Sequence, residues 1–97
     1  MKAVFSSGAN RDIRETLQYY RREAGADVAA DFHLELQALV VLIKQWPESS
    51  PLIHEDLRRA MMKRFPFQLV YRIESQIRIR ILAVRHHSRL TDFGLDR

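Results

Sequence analysis

Isoleucine and arginine alternate at the start of the segment Ile77–Val84, which reads I-R-I-R-I-L-A-V. Successive side chains of a β-strand point to opposite faces of a sheet, so the isoleucines share one face while Arg78 and Arg80 share the other. The apolar face needs a covering layer, and the arginine face meets solvent or a partner. This strand therefore predicts a sheet with helices on one side only. The isoleucines of the covered face are Ile77, Ile79 and Ile81.

Two helical stripes earlier in the chain predict the covering layer. Apolar residues recur at intervals of three and four over residues 9–24 and again over residues 29–46, which is the period of an amphipathic helix. Gly25 is suited to end the first helix, and Pro47 stops the second. The link between them is so short that the helices must form an antiparallel hairpin. The stripes comprise Ala9, Ile13, Leu17, Tyr20 and Ala24, then Ala29, Phe32, Leu36, Leu39, Ile43 and Trp46; the candidate N-caps are Ser7 or Asn10, then Asp27.

Residues rich in β-branched and aromatic side chains predict the remaining strands. The two-proline stretch Pro47–Asp56 is predicted to be a loop, and Ser75-Gln76 a tight turn. The order β-α-α-β-β-β then indicates a two-layer α+β fold, with the helical hairpin packed on a mostly antiparallel sheet. We expect one domain over residues 1–97, with a flexible tail at 91–97. The predicted strands are Ala3–Ser6, Leu57–Phe65, Phe67–Glu74 and Ile77–Val84.

Composition excludes several classes of protein. The chain has no cysteine, so it cannot form a disulfide or a thiolate metal site. His33 and His54 lack metal-ligand spacing, and the three glycines form no phosphate-binding loop. The longest apolar run, Leu39–Ile43, is far shorter than a membrane span. We therefore expect a cytoplasmic protein with no metal, no cofactor and no membrane partner.

Positive charge is concentrated in residues 57–90, which hold nine cations and the single anion Glu74. So uneven a charge distribution gives a folded domain a preferred side for an anionic partner. Nucleic acid, an acidic protein segment and a ribosomal surface all meet that description. The nine predicted partner-binding residues are Arg58, Arg59, Lys63, Arg64, Arg72, Arg78, Arg80, Arg85 and Arg89.

Two motifs in the basic half resemble those of the RelE/ParE toxin superfamily. The first is Phe65–Ile73, F-P-F-Q-L-V-Y-R-I, and the second is Ile81–His86, I-L-A-V-R-H. The order of elements from Ala3 to Arg89 is also similar to that of the family. The resemblance implies a toxin of a type II toxin–antitoxin system, held in a hetero-oligomer by an acidic antitoxin.

The superfamily contains two activities, and the motifs look more like those of the ParE branch. That branch implies inhibition of DNA gyrase by binding, without a reaction of its own. The alternative is a RelE-like endonuclease that cuts mRNA on the ribosome. A basic-sheet module for nucleic acid ranks last, because no aromatic residues interleave the arginines as a stacking platform requires.

The nuclease alternative makes specific demands on residues. Cleavage of RNA without a metal needs a base, an acid and cations for the phosphate. Imidazole titrates near neutrality, which makes His86 and His87 the acid–base candidates. Arg59 and Arg80 are the first candidates to hold the phosphate. Lys63 and Arg78 are further phosphate candidates, and Glu35 and Glu55 are alternative bases.

Overall fold

The computed structural model describes residues 1–87, which form two helices and a five-stranded sheet. The strands lie in the order β1-β5-β4-β3-β2; β1 runs parallel to β5, and every other neighbouring pair is antiparallel. The predicted two-layer α+β fold is thus confirmed. The elements are β1 (Lys2–Phe5), α1 (Ser7–Ala24), α2 (Ala26–Gln45), β2 (Leu52–His54), β3 (Leu57–Met61), β4 (Phe67–Ser75) and β5 (Arg78–His86). Neither helix is long and apolar enough to cross a membrane.

Strand boundaries differ from the prediction in two places. The predicted loop Pro47–Asp56 contains the short edge strand β2, which pairs with β3 through Leu52 and Arg58. The predicted strand Leu57–Phe65 ends at Met61, and Phe67 N–H bonds back to the Phe65 carbonyl at 2.8 Å. The ends of β1, β4 and β5 each lie within two residues of the prediction.

The helix ends are set by local hydrogen bonds. Ser6 caps α1, because its Oγ accepts from Ala9 N–H at 3.0 Å while donating to the Leu82 carbonyl at 3.2 Å. The predicted caps Ser7 and Asn10 were wrong, since both lie inside the helix. Gly25 ends α1 as predicted; its φ of 99° favours glycine. Gly25 also precedes α2, so Asp27 lies in the first turn rather than at the cap.

The core lies between the helices and one face of the sheet. Phe32, Leu36 and Ile43 of α2 are buried against Ile79 and Ile81, as the stripes predicted. The predicted core position of Ile77 was wrong, since the side chain is 70% exposed. It belongs to the turn that precedes β5, where the alternation of the strand has not begun.

Helix α2 is also apolar on the side that faces away from the core. Leu34, Val41 and Leu42 are each more than half exposed. Trp46 is 64% exposed, so its predicted place in the core was wrong. The helix ends at Gln45, and Trp46 has φ −133° and ψ 66°, which takes its side chain out of the helical stripe.

A β-bulge in β5 determines which residues share a face. Val70 pairs with Ala83 and Tyr71 pairs with Ile81, so Leu82 is an extra residue without a partner on β4. The bulge reverses the alternation, and Val84 rather than Ala83 joins Ile81 in the core. We call the sheet surface turned away from the helices the open face.

Candidate anion-binding face of the sheet

The structure divides the nine predicted partner-binding cations into three groups. Five lie on the open face, because the residues beside them in the strands belong to the core. Three lie elsewhere, and Arg89 falls outside the described residues. The five on the open face are Arg59, Arg72, Arg78, Arg80 and Arg85.

The three cations elsewhere make bonds to loops or helices, Arg58 through its side chain and Lys63 and Arg64 through their backbone N–H groups. Arg58 shares the face of Tyr71 and donates to the carbonyls of Glu48 and Ser50 at 3.2 and 2.8 Å. The carboxylate of Glu35 accepts the backbone N–H of Lys63 at 2.6 Å and that of Arg64 at 3.2 Å. These bonds tie the loop between β3 and β4 to α2, so Glu35 is occupied as a structural acceptor.

The centre of the open face is a small apolar floor inside a polar frame. Val70 and Ala83 are paired across β4 and β5, and they are only 4% and 7% exposed. Paired side chains lie about 5 Å apart, and the three strands span about 10 Å. Five side chains form the frame, and we call them the open-face cluster: Arg59, Gln68, Arg72, Arg80 and Arg85. Arg59 on β3 lies opposite Val70, and Gln68 and Arg72 lie two residues before and after Val70 on β4. Arg85 and Arg80 on β5 lie opposite Gln68 and Arg72.

Like charges adjoin each other in this cluster. Arg72 and Arg80 are direct neighbours across the strands, which is unfavourable without an anion between them. Glu74 supplies part of that compensation: it accepts hydrogen bonds from Arg80 and lies 3.9 Å from Arg78. The hydrogen bond from Arg80, followed by the charges of the nearby arginines, lowers the pKa of Glu74 below its usual range.

Several donors of the cluster have no partner. The Nε atoms of Arg59, Arg72 and Arg85 are buried and have no hydrogen bond within residues 1–87. The closest carboxylate oxygens to Arg72 and Arg85 are those of Asp56 and Asp12, at 4.0 and 3.9 Å. These are loose ion pairs, and each guanidinium keeps donors that an external anion can use.

Gln68 is the functional candidate that sequence reasoning missed. Its side chain is fully buried, and neither amide atom has a hydrogen-bond partner in the described part of the chain. Buried amides are nearly always bonded, so an unbonded one requires an explanation. The available signal was a polar residue in the otherwise apolar run F-P-F-Q-L-V-Y.

The structure does not bring the nuclease candidates together. His86 pairs with Phe67 on the helix-facing side, and their rings meet edge to face at 5.2 Å. Arg59 and Arg80 lie on the open face, on the other side of the sheet. His87 N–H donates to the Pro66 carbonyl at 2.8 Å, and its Nε2 is buried without a hydrogen-bond partner in residues 1–87.

The remaining titratable candidates also lie apart. Glu55 occupies a turn with φ 50°, and its side chain is 80% exposed. Within residues 1–87, no three side chains of the metal-binding types lie close enough to hold an ion. A cavity of about 590 Å³ lies between α1 and the end of β5, lined in part by Tyr19, Tyr20 and His86. Burial, and secondarily Tyr19, raises the pKa of Tyr20 there.

Known structures share this fold. The chain superimposes on the chromosomal ParDE system from P. aeruginosa with a TM-score of 0.78 and 19% identity, covering 89% of this chain and 95% of that one. The intact E. coli RelBE complex gives a TM-score of 0.59 with 18% identity, covering 88% and 94%. Isolated E. coli RelE gives 0.58 with 18% identity, covering 88% and 82%.

Sequence comparison identifies the family. No curated protein matches the chain. Residues 3–91 match the family described as "ParE toxin of type II toxin-antitoxin system, parDE". That match takes in both helices, all five strands and the open-face cluster. The chain belongs to the ParE toxin family of type II toxin–antitoxin systems.

Proposed function

We propose that this toxin inhibits DNA gyrase by binding, and that an acidic antitoxin neutralises it in the cytoplasm. The observation that carries the proposal is the match to ParE toxins over residues 3–91. The separation of His86 from Arg59 and Arg80 supports binding over RNA cleavage. A metal-free ribonuclease needs its acid, base and cations around one phosphate.

The open face supports the choice of an acidic antitoxin. Five of the predicted cations lie there, and Glu74 is the anion that bonds to one of them. A negatively charged segment laid across β3, β4 and β5 satisfies donors that the fold leaves free. The antitoxin and the toxin then form a hetero-oligomer in which the open face is covered.

Salt provides a test of that interface. Attraction between exposed charges is screened over about 8 Å at physiological ionic strength, so the association rate should fall as salt rises. Reversing Arg78→Glu and Arg80→Glu together should slow association with the cognate antitoxin further. The exposed α1 residue Arg14, changed to Glu, is the control for net charge. Rates indifferent to salt and to the double reversal would place the interface on the helices instead.

The gyrase assignment needs a parallel assay of two activities. Supercoiling by purified gyrase and cleavage of ribosome-bound mRNA are measured for wild type, for His86→Ala/His87→Ala, and for a chain truncated after His87. The truncation keeps the whole of β5, which ends at His86, and removes Arg89 with the tail 90–97. We expect the tail to contribute contacts to gyrase, although it lies outside the described residues.

The two mechanisms give opposite results. Under the gyrase proposal, wild type and the His→Ala variant inhibit supercoiling, and the truncated chain inhibits it less. Under the RelE-like alternative, wild type cuts mRNA and leaves supercoiling untouched. General acid–base catalysis is worth about 10²–10⁴-fold, so the double His→Ala variant would then lose most of its cleavage. The second pattern would overturn the proposal.

A further inference from the structure

We propose that the open-face cluster is a receptor for one carboxylate of the partner, an Asp or Glu side chain that binds among the arginine side chains covering Val70 and Ala83. The inference rests on the proposed acidic antitoxin and deepens it, because it names the atoms that receive the acid. The receptor comprises the five frame residues Arg59, Gln68, Arg72, Arg80 and Arg85.

The bulge at Leu82 builds the receptor. Arg80 and Arg85 are five positions apart, and a regular strand would place them on opposite faces. The extra residue brings both to the open face and sets Ala83 between them. Bulges are frequent next to functional sites because they redirect side chains in this way. Ala83 and Val70 are short, and the longer arginine and glutamine side chains around them cover them almost completely.

The donors of the receptor are unused. Arg59 has no ion pair among the described residues, and its buried Nε has no acceptor. Both amide atoms of Gln68 are buried and unbonded. A fold keeps such groups only at a cost to its stability, since an amide removed from water without a partner is unfavourable. An incoming carboxylate gives the Arg59 guanidinium an acceptor, and it gives the Gln68 N–H group one when it displaces the arginine side chains that cover Gln68.

The chain's own Glu74 shows that a carboxylate fits this chemistry. It binds the Arg80 guanidinium through both oxygens, beside Arg72 on the same face. Guanidinium groups match the planar carboxylate in two-point contacts. Arg72, Arg78 and Arg80 share two carboxylates, Glu74 and the looser Asp56 at 4.0 Å from Arg72, so these three cations remain one anion short. A carboxylate from the partner balances the cluster.

A peptide fits the open face better than a nucleic acid does. Single-stranded nucleic acids bind through bases stacked on aromatic side chains. The open-face positions of β3, β4 and β5 carry no aromatic residue in the part of the chain that the structure describes. The aromatic side chains Tyr20, Phe32, Phe65 and Phe67 instead pack together on the helix side.

Titration of the ¹⁵N-labelled full chain with deca-glutamate tests the receptor. The side-chain N–H signals of Arg59 and Gln68 should shift in a saturable manner. Loss of a hydrogen bond to a charged group corresponds to about tenfold or more in affinity, so Arg59→Gln should weaken binding by at least that factor. Arg14→Gln removes the same charge from exposed α1 and should change affinity less than about twofold.

Gln68→Leu separates a receptor from a structural role. Leucine removes both unbonded atoms, so the variant should bind deca-glutamate more weakly and yet unfold at a higher urea concentration than wild type. A variant that unfolds earlier would mean that the Gln68 amide is bonded within the protein. That result would overturn the receptor.

Other outcomes also decide the question. If Arg59→Gln and Arg14→Gln weakened the affinity for deca-glutamate equally, net charge alone would explain the loss. That result would reject a defined site. Tighter binding of a single-stranded DNA decamer, with the same Arg59 and Gln68 shifts, would reject the carboxylate in favour of a phosphodiester. Wild type that inhibits gyrase but does not bind deca-glutamate would reject the receptor and leave the gyrase proposal standing. Binding of deca-glutamate at the cluster without inhibition of gyrase would reject the gyrase proposal and leave the receptor standing.

Discussion

The Tyr71 hydroxyl allows a sharp test of how the loop after α2 is held. Tyr71 lies in the core with no exposed surface, and its hydroxyl donates to the Pro47 carbonyl at 2.7 Å. Tyr71→Phe keeps the ring and deletes only this bond. A hydrogen bond of this kind contributes about 1 kcal/mol, and a partly buried carbonyl left unpaired adds to the loss. We expect the free energy of unfolding to fall by about 1–2 kcal/mol.

Urea denaturation followed by circular dichroism measures that loss, with the slope of the transition unchanged. The midpoint of thermal unfolding should fall by about 4–16 °C, since a domain of this size loses about 4–8 °C per kcal/mol. Tyr19→Phe is the matched control, because Tyr19 is 52% exposed and should change stability by less than about 0.5 kcal/mol. Equal effects of the two variants would refute the reasoning, and the loop would then be held by its other bonds, among them those from Arg58 and from the backbone N–H of Arg59.

Three further predictions concern the core, a helix cap and acid stability. Leu36→Asp buries an unpaired charge where leucine is 3% exposed, and it should abolish folding; a variant that melts cooperatively would contradict the core described here. Ser6→Ala should cost about 0.5–2 kcal/mol in urea denaturation, and no loss would mean that α1 is capped otherwise. The folded pKa of Glu74 is lowered by Arg80, so its stabilisation is present above the unfolded pKa of about 4.3 and is lost as pH falls through the lower folded pKa. Glu74→Gln should flatten the acid side of the stability profile, and an unchanged profile would refute the role of this pair.

The spacing of apolar residues predicted most of the architecture, because only residues on the buried face of a helix or strand must be apolar. The helical stripes placed Phe32, Leu36 and Ile43 correctly, and the alternation in β5 placed Ile79 and Ile81. Prediction failed where an element ends. Ile77 and Trp46 continue their patterns in sequence but lie beyond the strand and the helix, so nothing buries them.

The candidate site was predicted in composition but not in arrangement. The cations of the open face were recognisable as a cluster of charge, yet their common face depends on the bulge at Leu82. A strand without it would put Arg85 on the helix side and His86 beside the open-face arginines, which is the arrangement a nuclease needs. No local signal in I-L-A-V-R-H distinguishes the two registers. Gln68 was missed for a related reason, since its lack of a partner is visible only in three dimensions.

The pairing of β1 with β5 delays completion of the sheet while the chain is being synthesised. Lys2 and Arg78 are partners in the sheet, so the first strand must wait for 76 further residues before its place exists. At a synthesis rate of about 5–20 residues per second, that wait lasts about 4–15 s. Contacts so distant in sequence also slow folding once the chain is released. A newly made chain therefore spends seconds without its complete sheet, and an antitoxin already present has that interval in which to meet it.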